Sequence, residues 1–445
     1  MDKERMEIEN EILDKLSGRI YLLQDLTHKH EVISQAFLEV YNTPRCQRFI
    51  KKSRGLELEK FFNEFLSYGI IEDFLADPTV EDIMINYLLP IYIHRTKVGM
   101  VKTDKKFDSR EEIDLFIKKL IFFSGRRTIN KINNVELSEI KGRVNIVYSP
   151  FGPQITITRA KEKPLSIVDL IKTGCLNAEI AAQFWIYVEG LGIKPANIVI
   201  SGGPGAGKST LLNALFSFIP SCDRIVVIED TLELNTEFEE NCSRLESDEE
   251  TTLADLVKNS LRMRPDRVIV GEVRGREAQD LMTSMNIGKY CMGTLHASTA
   301  RETIMRLQSE PMNISETLIN LIDVFVIMRR YNTNGKIYRV VGELVETGGL
   351  EKKMVLLSTL WTYDLTQRTF AESAVSSIFR DKLAQISGVS ARDIIKETKL
   401  RTNLIKILVE RNINDTAELT KFFRKYVLDP NAAIGDLGLK KEELA

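Results

Sequence analysis

The spacing of apolar positions changes three times along the chain. Up to about residue 75 they recur at helical intervals among many charges, as in Ile8, Ile12, Leu13 and Leu16, which share one helix face. Asp25, Thr27 and the Asn42-Thr43-Pro44 turn interrupt this pattern and predict several short helices. Such a region serves as a helical adaptor or as a partner-binding module. From about 76 to 163 alternation takes over. Ile83-Met84-Ile85, Ile91 to His94, Val144 to Val147 and Ile155 to Thr158 predict short strands, with a helix over about 110–123, a small α+β domain.

Pro164 opens a further regime. Helical patterns over about 166–172 and 177–191 precede Asn197-Ile198-Val199-Ile200, a fully apolar strand of the kind buried on both faces. Similar strands at 225–228, 268–270, 292–295 and 323–328 alternate with helices at about 208–217, 252–262, 275–288 and 300–307. That alternation predicts a doubly wound α/β domain over 164–345. Residues 346–445 read as a hairpin-like stretch ending near Tyr363, then helices over about 372–386, 390–411 and 415–427. The apolar face of the second of these (Leu400, Leu404, Ile405, Ile407, Leu408) reads first as core packing, with partner docking as the alternative. Glu237 to Glu250 carries seven carboxylates against Arg244 and reads as a solvated loop.

Composition narrows the function classes. With 61 basic and 63 acidic residues the formal net charge is −2, without the basic excess expected of a nucleic-acid coat protein. At 43% hydrophobic and 28% charged, the 445 residues can bury several cores. Five dispersed cysteines with no C-x-x-C pair read as reduced thiols, and the charged start has no apolar h-region. No run approaches the roughly 18 apolar residues of a membrane span. A cytosolic protein is expected, so any membrane role would act through a partner.

The strongest chemical signal is Gly202-Gly203-Pro204-Gly205-Ala206-Gly207-Lys208-Ser209, a complete G-x-x-x-x-G-K-[ST] motif, followed by Thr210. Its backbone N–H groups can cradle phosphate oxygens, Lys208 supplies a cation for the β- and γ-phosphates, and the Ser209 hydroxyl suits Mg²⁺. The motif follows a buried strand and opens a helix, as this chemistry requires. Three further strands end in polar residues. Arg267 to Glu272 places Glu272 where Mg²⁺ and its waters would sit. Ile225 to Asp230 places Glu229 where it can orient an attacking water, or serve simply as a capping acid. Gly293-Thr294-Leu295-His296-Ala297 puts His296 at a core strand end, as a γ-phosphate contact or as a structural histidine.

Taken in order, the glycine-rich motif, IVVIEDTLELN from Ile225, SLRMRPDRVIVGEVRGREAQDL from Ser260 and MGTLHASTARETIMRL from Met292 resemble the type II/IV secretion ATPases. VEDIMIN and GRVNIVYSPFGPQITITRAKEKPLSIVDLI, upstream, are similar to that family's amino-terminal domain and linker, and the flavour is nearest archaeal pilus or archaellum motors. The resemblance implies an amino-terminal α+β domain, a RecA-like P-loop ATPase core and helical extensions at both ends. It further implies ATP and Mg²⁺ as ligands, Glu229 as general base, Glu272 as the acid near Mg²⁺, and His296 near the γ-phosphate. Arg143 and Arg159 match the family's nucleotide-reaching arginines; Arg95 and Arg127 are weaker candidates. A hexameric ring acting on a polytopic membrane platform protein, without nucleic acid, is the implied assembly, with a hinge at Glu162-Lys163-Pro164. Two departures stand out: Gly288-Lys289-Tyr290-Cys291 replaces the family's G-H-D-G segment, and the zinc-binding tetracysteine insert is missing, so no structural metal is expected. The rival readings are a RecA-like nucleic-acid translocase and a P-loop scaffold that binds nucleotide without turnover, and, within the family, a pilus retraction motor or a conjugation-type secretion ATPase.

Overall fold

The computed structural model describes all residues except 1–2, 21–25, 54–56, 97, 141, 160–163, 237–239, 249, 334–335, 375 and 442–445. Two residues of the expected hinge, Glu162 and Lys163, therefore lie outside the described residues. The chain divides into two compact units, Met1–Glu162 and Lys163–Ala445.

The first unit opens with helices α1 (Lys3–Leu16), α2 (Leu26–Tyr41), α3 (Pro44–Lys52), α4 (Leu58–Leu66) and α5 (Glu72–Ala76). Strands β1 (Val80–Asn86), β2 (Tyr92–Arg95) and β3 (Gly99–Lys102) follow, then α6 (Arg110–Phe123), β4 (Ile132–Leu137), β5 (Gly142–Ser149) and β6 (Gly152–Arg159). The strands form one antiparallel sheet in the order β3-β2-β1-β6-β5-β4. The regions expected separately as 1–75 and 76–163 share a single core. The apolar stripe Ile8, Ile12, Leu13 and Leu16 is buried with Ile117, Leu120 and Ile121 of α6 and with Ile83, Ile146 and Ile157 of the sheet. A stripe on a short charged helix is too small to form a core alone, so it joins the nearest apolar surface.

The second unit runs α7 (Ile167–Lys172), α8 (Ala178–Glu189), β7 (Ile198–Gly202), α9 (Lys208–Leu215), β8 (Ile225–Glu229), β9 (Cys242–Glu246), α10 (Leu253–Ser260), β10 (Arg267–Val270), α11 (Glu277–Asn286), β11 (Tyr290–Leu295), α12 (Ala300–Gln308) and α13 (Glu316–Ile319). It continues with β12 (Val324–Thr333), β13 (Lys336–Glu351), β14 (Met354–Asp364) and β15 (Thr369–Glu372), then α14 (Ile378–Ser387), α15 (Ala391–Glu410), α16 (Thr416–Leu428) and α17 (Pro430–Asp436). All nine strands share one sheet in the order β15-β14-β13-β12-β7-β11-β10-β8-β9. From β12 to β9 every pairing is parallel; from β12 outward to β15 every pairing is antiparallel. In the parallel part β7 lies between β11 and β12, and β10 and β8 follow beyond β11: a RecA-like core order.

Alternate residues of the central strands enter two cores. Ile198, Ile200, Val227, Ile269 and Val326 join the side packed by α8, α9 and α14–α17. Val199, Val226, Ile228, Val268, Val270 and Phe325 join the side of α10–α13. Burial on both faces explains why these strands read as unbroken apolar runs.

Three local differences from the sequence reading have physical causes. Within the acidic stretch, Cys242–Glu246 forms the edge strand β9, parallel to β8. An edge strand needs ladder hydrogen bonds on one side only and tolerates charge on the other, so composition concealed it. The expected division at residue 345 falls inside β13, which carries the sheet from the ATPase-like core into the hairpin. Finally α17 follows Asp429, whose side chain accepts from the backbone N–H of Ala432; seven residues are too few to show a period. The carboxyl helices close on the sheet through buried Glu346, whose carboxylate accepts from Tyr187 Oη, Ser377 Oγ and the first backbone N–H groups of α14. Leu400, Leu404, Ile405 and Leu408 are all buried in that core.

Candidate active site

Parallel strands deliver their carboxyl ends to one edge of the sheet, the place where ligands bind in such folds. Here that edge receives Gly202 from β7, Glu229 from β8, Glu272 just past β10 and His296 just past β11. The register aligns these ends: Val199 pairs with Gly293, Gly293 with Val270, and Val270 with Ile228.

The loop between β7 and α9 takes two residues into left-handed backbone, Gly205 at φ 65° and Gly207 at φ 94°. A side chain at either would be strained, and the turn they make points backbone N–H groups inward, as a phosphate nest requires. Gly203, Pro204 and Gly205 are exposed, Ala206 and Lys208 buried, and Ser209 and Thr210 half-buried at the start of α9. Lys208 Nζ donates to the carbonyls of Gly202 (3.1 Å) and Gly203 (3.3 Å) and lies 3.2 Å from His296 Nδ1. Burial lowers its pKa from the ordinary lysine value, the charge of Glu272 opposing that shift. An ammonium held by carbonyls and an imidazole is short of anionic partners and suited to take a phosphate oxygen.

His296 bridges Lys208 and Glu272, its Nε2 lying 2.8 Å from Glu272 Oε1. Oε1 is buried, and among the described residues it has no partner that meets hydrogen-bond geometry. Glu272 Oε2 takes Arg274 Nη2 at 2.7 Å. Burial acts to raise the Glu272 carboxyl, but the hydrogen bond and charge of Arg274, aided by His296 and Lys208, hold it below the usual carboxylate range. Burial and the charge of Lys208 lower His296, with Glu272 pulling the other way. The imidazole is therefore neutral at neutral pH. Because its folded pKa lies below the unfolded value, the unfolded chain protonates first as pH falls, and the fold loses stability through that window. Glu272, depressed in the fold, loses its contribution at lower pH still. Between about pH 7 and about pH 5.5 the unaltered protein should accordingly lose more melting temperature than His296→Gln; equal losses would exclude this linkage.

Glu229 is 2% exposed. Its Oε1 accepts the backbone N–H groups of Glu233 (3.0 Å) and Leu234 (3.2 Å), and Oε2 lies 3.4 Å from the Leu234 nitrogen. A Cβ added to Gly271 would sit 2.8 Å from Glu229 Cγ, so glycine at that strand end leaves the carboxylate its place. Asn213 of α9 fixes the same loop by accepting the N–H of Asn235 (2.9 Å). Thr294 Oγ1 donates to the Gly271 carbonyl at 2.6 Å, tying β11 to the turn that carries Glu272.

For Mg²⁺, an oxygen-seeking cation that keeps several waters, the donors present are Ser209 and Glu272. The buried Glu272 Oε1, close to His296 but without a well-formed hydrogen bond among the described residues, fits that use. No group of three or more His, Cys, Asp or Glu able to hold a metal occurs among the described residues.

The arginines singled out in sequence all lie in the amino-terminal unit. Arg159 Nη1 donates to the carbonyls of Phe74 (3.3 Å), Asp77 (2.7 Å) and Val80 (3.2 Å), and among the described residues its buried Nε has no partner. Arg143 pairs across the ladder with Thr158, not with Arg159, so the two arginines stand on opposite faces at the same end of the sheet. Arg95 bonds Asp77 at 3.0 Å. Arg274, beside Glu272, was missed in sequence although it lies within the GEVRGR segment; the exposed Arg330 and Arg339 beside the glycine loop were missed because only strand pairing brings them there.

A family description, type II/IV secretion system protein, matches residues 127–355, more than half of the chain. The chain belongs to this family. Two uncharacterized proteins of Methanocaldococcus jannaschii are similar to it: one is 30% identical over 378 residues, covering 81% of this chain and 68% of that one. The other is 38% identical over 245 residues, 52% of this chain but only 34% of that longer protein. The conjugal transfer protein TrbB of Rhizobium radiobacter is 29% identical over 278 residues, 60% of this chain and 84% of that one. The match to the family spans the whole of the glycine loop and the strands that carry Glu229, Glu272 and His296.

Proposed function

We propose that this family member is a Mg²⁺-dependent ATPase acting as a ring-shaped motor, a hexamer, that powers assembly of a type IV pilus-like filament or secretion through a membrane platform protein. The observation that carries the hydrolase is the gathering of Lys208, Glu229, Glu272 and His296 at adjacent strand ends around a glycine nest. Gly203 to Thr210 would hold the phosphates, Ser209 and Glu272 the Mg²⁺, Glu229 the attacking water, and His296 would contact the γ-phosphate. Mg²⁺ would neutralise developing phosphate charge. Arg143 and Arg159 are proposed to assist hydrolysis.

Phosphate release from purified protein tests the enzyme. Lys208→Ala should abolish tight Mg-ATP binding and all measurable turnover; retained turnover would remove the glycine loop from the site. If Arg143→Ala and Arg159→Ala both hydrolyse ATP and assemble as the unaltered chain does, their proposed role fails. Light scattering at micromolar protein with ATP should show a ring-sized particle, and monomers alone would argue against the motor.

The name of the Rhizobium relative favours a second reading within the family, conjugation-type secretion. Against the translocase alternative, DNA or RNA should leave the ATPase rate unchanged. No helix among the described residues is long and apolar enough to cross a membrane, which is compatible with action at the cytosolic face through a partner.

A further inference from the structure

Outside the groups already assigned, the hairpin of β12 and β13 carries an arrangement that isolated strands avoid. Arg330 stands directly opposite Arg339 across the antiparallel ladder. Like charges so placed repel each other. Both side chains are exposed, and among the described residues neither has an acidic partner. The neighbouring Arg329, by contrast, is paired with Glu343, and Arg368 lies over the Tyr338 ring, 5.0 Å from its centre. The hairpin thus pairs its other arginine, Arg329, and leaves these two in mutual repulsion.

A bulge produces the juxtaposition. Ile327 pairs with Glu343 but Met328 with Val341, so Gly342 is the extra residue. Were the Ile327–Glu343 register continued without the bulge, Arg330 would face Val340 and Arg339 would lie on the opposite face, since a one-residue shift inverts every side chain of a strand. Bulges of this kind re-aim side chains, and the direction here is toward the glycine loop. Arg330 Nη1 lies 3.4 Å from where a Cβ on Gly205 would sit, and Arg339 Cδ lies 3.5 Å from the same point on Gly207. Arg339 Nε donates to the Gly205 carbonyl at 2.8 Å, while among the described residues its terminal nitrogens carry no hydrogen bond.

We propose that Arg330 and Arg339 form a two-pronged grip on the phosphate chain of the bound nucleotide, reaching the glycine loop from the β12–β13 hairpin. The inference rests on the nucleotide reading of that loop and extends it. Lys208 comes to the loop from α9; the hairpin pair supplies further cations from β12 and β13. A polyphosphate placed between the two guanidiniums turns their repulsion into attraction, and planar forks suit phosphate oxygens better than ammonium groups do. Arg339, already bonded to Gly205, also holds the loop open at the residue that turns into left-handed backbone.

The test is competition by inorganic tripolyphosphate against a fluorescent ATP analogue on the full chain, compared among the unaltered protein, Arg330→Ala, Arg330→Gln, Arg330→Lys, Arg339→Ala and Lys208→Ala. Arg330→Ala, Arg330→Gln and Arg339→Ala should each weaken tripolyphosphate by about tenfold or more, with unchanged melting temperature and a shallower salt dependence. Arg330→Lys should recover part of the loss. Unchanged tripolyphosphate affinity in the arginine variants, with loss in Lys208→Ala, overturns the grip and leaves the nucleotide reading intact. Unchanged affinity with altered light scattering overturns it in favour of a contact between copies of the chain. If the unaltered chain binds neither probe, the nucleotide reading fails and the grip falls with it.

Discussion

Glu229→Gln should lower turnover by about 10²- to 10⁴-fold while nucleotide affinity stays within a few-fold of the unaltered protein. The geometry makes this substitution unusually clean. Oε1 takes the two closer backbone N–H groups of the 233–234 loop, at 3.0 and 3.2 Å, and Oε2 accepts from the Leu234 N–H at the longer 3.4 Å. A glutamine can place its carbonyl oxygen in the Oε1 position and keep the loop in place. Its amide NH₂ then occupies the Oε2 position, where it donates a hydrogen bond and cannot accept a proton. Loop structure survives while the ability to orient or deprotonate water is lost. Gly271→Ala provides a second approach to the same group. The new methyl would fall 2.8 Å from Glu229 Cγ and push the carboxylate aside, so turnover should fall with no change in the acid itself. A single-turnover phosphate-release measurement, with equilibrium binding of a fluorescent nucleotide as control, checks both. Normal release by Glu229→Gln would assign the base elsewhere, and loss of binding with loss of release would make Glu229 a structural residue.

The legible part of this site is the part that sits on long-period signals. Unbroken apolar strands ending in Gly202, Glu229, Glu272 and His296 can be read because burial on both faces of a parallel sheet demands an apolar run, and the polar residue that ends the run marks the ligand edge. What was hidden depends on pairing. Arg330 and Arg339 are nine positions apart in an ordinary-looking strand pair, and only the register beyond the Gly342 bulge sets them opposite each other beside the glycine loop. Arg274 was visible as a residue, but its bond to Glu272 is a property of the turn. The acidic stretch shows a converse limit: charge argued for a loop, yet five of its residues complete the sheet at an edge where charge is tolerated. Arg159 carries a further lesson, since a motif match cannot reveal that one guanidinium nitrogen already serves three backbone carbonyls.

Arg401→Met should destabilise the carboxyl-terminal unit by about 3–5 kcal/mol. Arg401 and Glu189 are each 3% exposed, joined at 2.8 Å between Nη1 and Oε2, on helices that otherwise meet through Leu404, Ile405 and Leu408. The guanidinium also bonds Glu397 at 2.9 Å and lies over Trp185, 4.5 Å from the ring centre. Removing it strands the Glu189 carboxylate in an apolar layer with no water to solvate it, and that penalty exceeds what the pair itself contributes. The consequence reaches the glycine loop, because Trp185 belongs to the same core as Ile198, Ile200 and Ala206. Replacing both partners, Glu189→Leu with Arg401→Met, removes the stranded charge and should recover most of the loss. Urea unfolding followed by Trp185 fluorescence in a Trp361→Phe background reports on this layer directly, since the chain has two tryptophans. A single Arg401→Met variant within about 1 kcal/mol of the parent would mean that Glu189 reaches water or takes up a proton when its partner is gone, and the pair would then be a local contact without influence on the loop.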